Sequence, residues 1–224
     1  MKRWQIVVLA VAVLAIAGYF YLRSRGIGFG LGGGSTLTAN DSTSSDTGSF
    51  TTRVTRMNWQ TVNRPDAGFK VDMPADPKDL QVPAYNEAGS TEQVRMMFAS
   101  PDGDITFAVS WEDNPPVARV NDRSPDKTLD AARDGMLSRT QTVLETETRV
   151  MAAGYPARDI ASHNAGGGIL NARLIYTGER LYALLALYPS LNVRREQDVV
   201  RFYNSFATSR SPGETLPSAA PRGE

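Results

Sequence analysis

Residues 142–188 read TVLETETRVMAAGYPARDIASHNAGGGILNARLIYTGERLYALLALY, and the fold turns on this stretch. Four runs with strand-like patterning lie within it: 142–150, 157–163, 169–176 and 181–188. The residues between them are turn formers: Gly154-Tyr155-Pro156, Gly166-Gly167-Gly168 and Thr177-Gly178-Glu179-Arg180. Links this short leave no room for crossover helices, so consecutive strands must pair antiparallel. A meander is expected, not a parallel sheet.

Upstream, Val94, Met96 and Phe98 alternate with Gln93, Arg95 and Met97 up to Ser100-Pro101-Asp102-Gly103. The next run, 104–111, points Ile105, Phe107, Val109 and Trp111 one way and Thr106, Ala108 and Ser110 the other. Pro-Asp-Gly between two alternating runs predicts a hairpin. Phe69 to Met73 reads as a further strand, stopped by Pro74. Two helices interrupt the strands. Ser124 is placed to cap the first, with Pro125 in its first turn, Asp126 favourable for the helix dipole, and Leu129, Ala132, Met136 and Leu137 as its apolar stripe. The second is expected over 196–207, where Val199, Phe202, Tyr203 and Phe206 fall at i, i+3, i+4 and i+7. The fold class is therefore α+β, an antiparallel sheet covered by helices.

The flanks differ from this domain. Met1-Lys2-Arg3 precedes an apolar run from Trp4 to Leu22, interrupted only by Gln5 and Gly18. As a helix the run spans about 28 Å, close to a bilayer core of roughly 30 Å. Ala15-Ile16-Ala17 fits a signal-peptidase site, but Tyr19-Phe20-Tyr21-Leu22 stays apolar beyond it, so an uncleaved transmembrane anchor is expected over 1–25. Lys2 and Arg3 are matched by Arg23 and Arg25, and the amino terminus tips the orientation toward an exported C-terminal domain. Residues 26–50 are mostly Gly, Ser, Thr, Asn and Asp, a flexible linker with roughly 25–30 Å of reach. Gly28-Phe29-Gly30-Leu31-Gly32-Gly33 matches G-x-G-x-x-G by letter only, because no strand precedes it and a Ser/Thr tract follows. Residues 51–210 form the globular domain, and the proline-bearing 211–224 a loose tail.

The chain's 24 basic and 24 acidic residues cancel. Setting aside the flanks leaves the domain 19 basic and 20 acidic, which excludes the basic excess a nucleic-acid binder needs. There is no cysteine and a single histidine, His163. Thiol catalysis, disulfide frameworks and Cys/His zinc sites are thereby excluded. No G-x-S-x-G elbow exists to pair with His163, which reads as a hairpin-loop histidine. Asp102-Gly103-Asp104 lacks the further ligands of a calcium loop, and Glu112, Asp113, Asp122 and Asp126 read as a solvated acidic neighbourhood. Glu145 and Glu147, two apart, are expected on one exposed face. No metal or cofactor is expected.

Several motifs occur in an order that carries a resemblance. Gly68-Phe69-Lys70-Val71-Asp72-Met73-Pro74, Gly154-Tyr155-Pro156-Ala157-Arg158, Arg173-Leu174-Ile175-Tyr176, Gly178-Glu179-Arg180-Leu181-Tyr182 and Phe202-Tyr203-Asn204-Ser205-Phe206 resemble segments of uncharacterised bacterial envelope proteins of the PsbP-like superfamily. The resemblance implies an α/β/α sandwich and an accessory or binding role without a catalytic centre. Ala157 stands where that group has glycine.

The polar residues on the second face of the central strands are Arg95, Asn171 and Arg173, and parity sets Asp159 beside Arg173. A structural ion pair under a helix is one reading. The other is a small pocket for an anionic or polar ligand, lined by Arg95, Asp159 and Arg173, with Trp111 or Tyr155 as its rim. The expectation is a non-enzymatic, membrane-tethered module on the outer side of a bacterial cytoplasmic membrane, meeting a protein partner or a small polar ligand. The alternatives are a cofactor-independent enzyme using Asp, Glu, Arg or Tyr, and a structural spacer.

Overall fold

Residues 57–74, 76–85, 91–101, 105–113, 124–188 and 195–209 are described by the computed structural model. The expected anchor, linker and tail lie outside them, as do the turn residues Asp102-Gly103-Asp104 and Asp122. No helix among the described residues is long and apolar enough to cross a membrane.

The meander is present as β6 (Thr142–Ala152), β7 (Tyr155–Asn164), β8 (Ile169–Tyr176) and β9 (Arg180–Tyr188), each antiparallel to the next. A second one comprises β3 (Lys78–Tyr85), β4 (Thr91–Ala99) and β5 (Thr106–Asp113). Pairing of β5 with β9 joins them into a seven-stranded antiparallel sheet of order β3-β4-β5-β9-β8-β7-β6. Central β5, from Thr106 to Trp111, and β9 are buried on both faces, which is why the β9 run from Leu181 to Tyr188 is continuously apolar. The α+β class is thus observed.

The two faces are covered differently. Helix α1 (Pro125–Thr140) packs Leu129 and Met136 on Val94, Met96, Ala108, Ile160, Ala172, Leu174 and Leu185. Ser124 stands at its N-cap, but the hydroxyl makes no capping bond; its carbonyl accepts from Thr128 N at 3.1 Å. The opposite face meets a three-stranded sheet, β1 (Trp59–Arg64), β2 (Phe69–Pro74) and β10 (Ala207–Thr208), with helix α2 (Glu196–Ser205). Phe69, Val71 and Met73 of β2 are fully buried there, against an exposed Lys70 and a half-buried Asp72. Phe202 of α2 meets Phe107 edge-on at 5.2 Å, and Phe206 stacks on Phe69 at 5.7 Å. The Ser205 hydroxyl donates to Phe202 O and accepts from Asp72 N, both at 2.8 Å, tying α2 to β2. The helix expected to reach residue 207 ends at Ser205, because Ala207 and Thr208 extend to pair with Lys70 and Phe69.

The structure departs from expectation at one turn of the meander and within strand β6. Ala153 and Gly154 alone form the β6–β7 turn, both at positive φ (50° and 84°), so Tyr155 and Pro156 already belong to β7. That is the two-residue hairpin geometry that suits twisted strands. A bulge in β6 pairs Leu144 with Ser162 but Thr146 with Ala161, leaving Glu145 as the extra residue. Glu145 and Glu147 therefore do not share a face. Glu145 meets His163 Nδ1 at 2.7 Å, and Glu147 turns under α1 to Arg133 and Arg158. His163 itself lies in β7, not in a loop.

Candidate functional site

The expected site residues fall into two pairs on the face toward the small sheet. Arg95 and Trp111 are directly opposite on β4 and β5, and Asp159 and Arg173 on β7 and β8. Tyr182 and Leu184 of β9 lie in the sheet between the pairs. The four residues thus line two places, not one pocket.

Around Trp111 the assembly is larger than parity alone indicated. The buried indole has the Arg64 guanidinium 5.2 Å from its ring centre and that of Arg95 at 5.7 Å, distances at which a cation is attracted to the ring face. Arg95 Nη2 donates to Asp113 Oδ2 at 2.7 Å, and Arg180 Nε donates to Asp113 Oδ1. Arg64 in turn binds Asp66, at 3.0 Å through both Nε and Nη2, and reaches Asp79 through Nη1. Two charged triplets, Asp66–Arg64–Asp79 and Arg95–Asp113–Arg180, thus meet the indole through Arg64 and Arg95. The acids are the more exposed members, with Asp66 and Asp79 at 56% and 63% of side-chain area.

The electrostatics follow the pairing. Burial pushes the Asp113 carboxyl up, but the bonds and charges of Arg180 and Arg95 outweigh it and hold Asp113 below the ordinary carboxylate range. The bond from Arg64 likewise holds Asp66 down. Arg180 also donates to Ala67 O, as does Tyr182 OH at 2.9 Å. This pins the β1–β2 turn to the large sheet. Gly68 completes the turn at φ +71°, where a β-carbon would stand 3.1 Å from Arg180 Nη1 and 3.3 Å from Tyr182 Oη. Glycine meets both demands. Trp111 Nε1 is buried with no hydrogen-bond partner among the described residues.

At the second place Arg173 grips Asp159 with two parallel bonds, Nε to Oδ1 at 2.6 Å and Nη2 to Oδ2 at 2.7 Å. Its guanidinium sits 4.8 Å from the ring centre of Tyr203 on α2. Burial raises the Tyr203 hydroxyl well above its ordinary value, and burial also pushes neighbouring Tyr188 up to about 12. The bidentate bond to Asp159 is the largest influence on Arg173 and, against burial, raises its guanidinium further above the ordinary value. The geometry is that of an ion pair beneath a helix. Asn171 stands two residues from Arg173 on the same face of β8, and Tyr155 packs at the edge of the same core.

A third charged cluster lies outside the expected site residues. Arg158, with 3% of its side chain exposed, lies on the α1 face among Asp126, Asp130 and Glu147. It donates to Asp126, lies 3.5 Å from Asp130, and sets Nε 2.9 Å from Glu147 Oε1 at an angle too poor for a hydrogen bond. Arg133 of α1 holds the other Glu147 oxygen at 2.6 Å. The signal was the spacing of Asp126, Asp130 and Arg133 on one helix edge, which carries meaning only once the bulge turns Glu147 beneath it. Among the described residues no three His, Asp or Glu side chains converge as a metal-holding group.

No protein-family model matches the chain, and no curated protein does. Among solved structures it is similar to the solution structure of cyanobacterial PsbP (CyanoP) from Synechocystis sp. PCC 6803. The two are 13% identical, the match covers 70% of this chain and 95% of that chain, and the TM-score is 0.46.

Proposed function

We propose that the chain is an accessory or binding module of the bacterial cell envelope, tethered by residues 1–25 to the cytoplasmic membrane and exported beyond it. Its recognition surface is the Arg64–Arg95–Arg180 lattice around Trp111. One observation carries this reading: the charged side chains at the expected sites are committed to one another. Asp113 serves two arginines at once and Asp159 is held bidentately. General acid–base catalysis needs a group that titrates near the working pH, whereas Asp66 and Asp113 are held in the opposite direction. Alternating exposed charges over a buried aromatic suit a protein partner presenting both signs. The apolar run from Trp4 to Leu22, the Gly/Ser/Thr linker and the motif order from Gly68 to Phe206 support the tether and the envelope setting.

The tether is tested by expressing the full chain in a bacterium, washing its membranes with alkaline carbonate, and treating spheroplasts with external protease. The chain is expected to stay in the washed membrane and to be cut from outside. Release by carbonate, or protection in intact spheroplasts, would contradict the reading.

A further inference from the structure

Strand β6 is the edge of the large sheet, and among the described strands it pairs only with β7. It is 11 residues long. Of the four large apolar side chains exposed among the described residues, three belong to it: Val143 at 63%, Leu144 at 38% and Met151 at 67%. An edge of that length is a template for another strand. Charges and a bulge ordinarily discourage such pairing, but here their arrangement is self-complementary.

Because Glu145 is the extra residue of the bulge, it shares one pairing position with Thr146. Leu144, Glu147, Arg149 and Met151 then lie on the α1 face, and Val143, Thr146, Thr148, Val150 and Ala152 on the other, following their partners on β7. Directly opposite residues of an antiparallel pair share a face, so a second β6 can meet the first in only a few two-fold registers. Centring on Glu147 sets Glu147 against its own copy. Centring on Arg149 sets arginine against arginine. Centring on Thr148 sets Arg149 against Glu147, Met151 against Leu144, Val150 against Thr146 and Ala152 against Val143, each twice by symmetry.

We propose that β6 docks antiparallel on β6 of a second copy of this chain, with Thr148 on the two-fold axis. Charge favours this occupant. The α1 edge gathers Asp126, Asp130, Asp134 and Glu147 around Arg133 and Arg158. Arg149 stands 73% exposed, 3.8 Å from Asp126. In the Thr148-centred register each copy delivers its Arg149 to the other's Glu147. In the same step the exposed Met151 and Leu144 meet each other, and Val143 meets Ala152.

The chain contains no cysteine, so a single introduced thiol reports the register. In the full chain in detergent, Thr148→Cys sets two thiols on directly opposite residues, about 4.5–5.5 Å apart at Cα and within disulfide range. Met151→Cys is the control: its side chain is the more exposed, yet its symmetry mate lies six positions away, roughly 20 Å. Under mild oxidation Thr148→Cys is expected to form disulfide dimer at least about tenfold faster than Met151→Cys. Sedimentation of the wild-type chain is expected to show a dimer, and Arg149→Glu to raise its dissociation constant about tenfold by opposing two glutamates twice. Both cysteine variants alter exposed side chains, and circular dichroism checks their fold. Equal cross-linking of the two thiols overturns the proposal. So does a chain that stays monomeric with neither thiol reacting, the result expected if another part of the same chain covers β6.

Discussion

Replacing Phe69 by alanine is expected to cost the fold about 4 kcal/mol, in the upper part of the usual range for a buried phenylalanine. The side chain is fully buried and links three elements. It meets Trp111 of β5 at 5.5 Å and Tyr182 of β9 at 5.8 Å, both edge-on, and stacks on Phe206 just beyond α2. Its removal therefore opens a cavity between layers that no single side chain can fill. Phe98, half-buried on the α1 face, is the comparison: its truncation is expected to cost about half as much. Urea unfolding of the full chain measures both. A loss below about 1 kcal/mol at Phe69 would mean that the small sheet is not packed as described.

Arg158→Met is expected to cost about 2–3 kcal/mol at neutral pH. Breaking a fully buried ion pair costs about 3–5 kcal/mol, but here Asp126 and Asp130 reach solvent and Glu147 keeps Arg133. The variant also makes a pH prediction. The bond from Arg158 is the largest influence on Asp126 and holds its carboxyl below the ordinary range, against some desolvation. A carboxylate depressed in the folded state adds stability above its unfolded pKa of about 4, lost as pH falls through the folded value. Wild-type stability should therefore drop on acidification below about pH 4, and the drop should be shallower in Arg158→Met. A loss under about 0.5 kcal/mol with an unchanged acid limb would make Arg158 an ordinary surface ion pair.

The parts of the fold that could be read in advance are those where local pattern and tertiary burial agree. Strand β8 keeps its expected bounds because Leu170, Ala172 and Leu174 face α1 while Arg173 and Ile175 face the other layer. The second helix begins at Glu196, after the arginines that its positive end disfavours. Three strands could not be read, each for a physical reason. Strand β1 has only Trp59 and Val62 as apolar residues, since it covers the core from outside. Strand β3 is a sheet edge and carries Pro83, which edges tolerate and centres do not. Strand β10 is two residues long and exists through its pairing with β2.

The same division holds for the site. Parity brought Asp159 to Arg173, because strand neighbours one short turn apart have a determined register. Arg64 and Arg180 reach Trp111 and Asp113 from a different sheet and from a strand more than 60 residues away in sequence, so no local pattern announces them. The Arg158 cluster depends on the bulge at Glu145, and a one-residue slip in strand phase turns every later side chain to the other face.

The most direct measurement is quantitative co-purification of the full chain from mildly cross-linked native membranes, beside an Arg64→Gln, Arg95→Gln double variant. Both arginines are partly exposed and Asp113 keeps Arg180, so the variant should lose no more than about 1 kcal/mol of stability. The wild-type chain is expected to bring down a partner in fixed stoichiometry, and the double variant to lose it while remaining folded. A wild-type chain that recovers no stoichiometric partner, or a variant that retains the same one, would contradict a binding module that recognises through the arginines around Trp111.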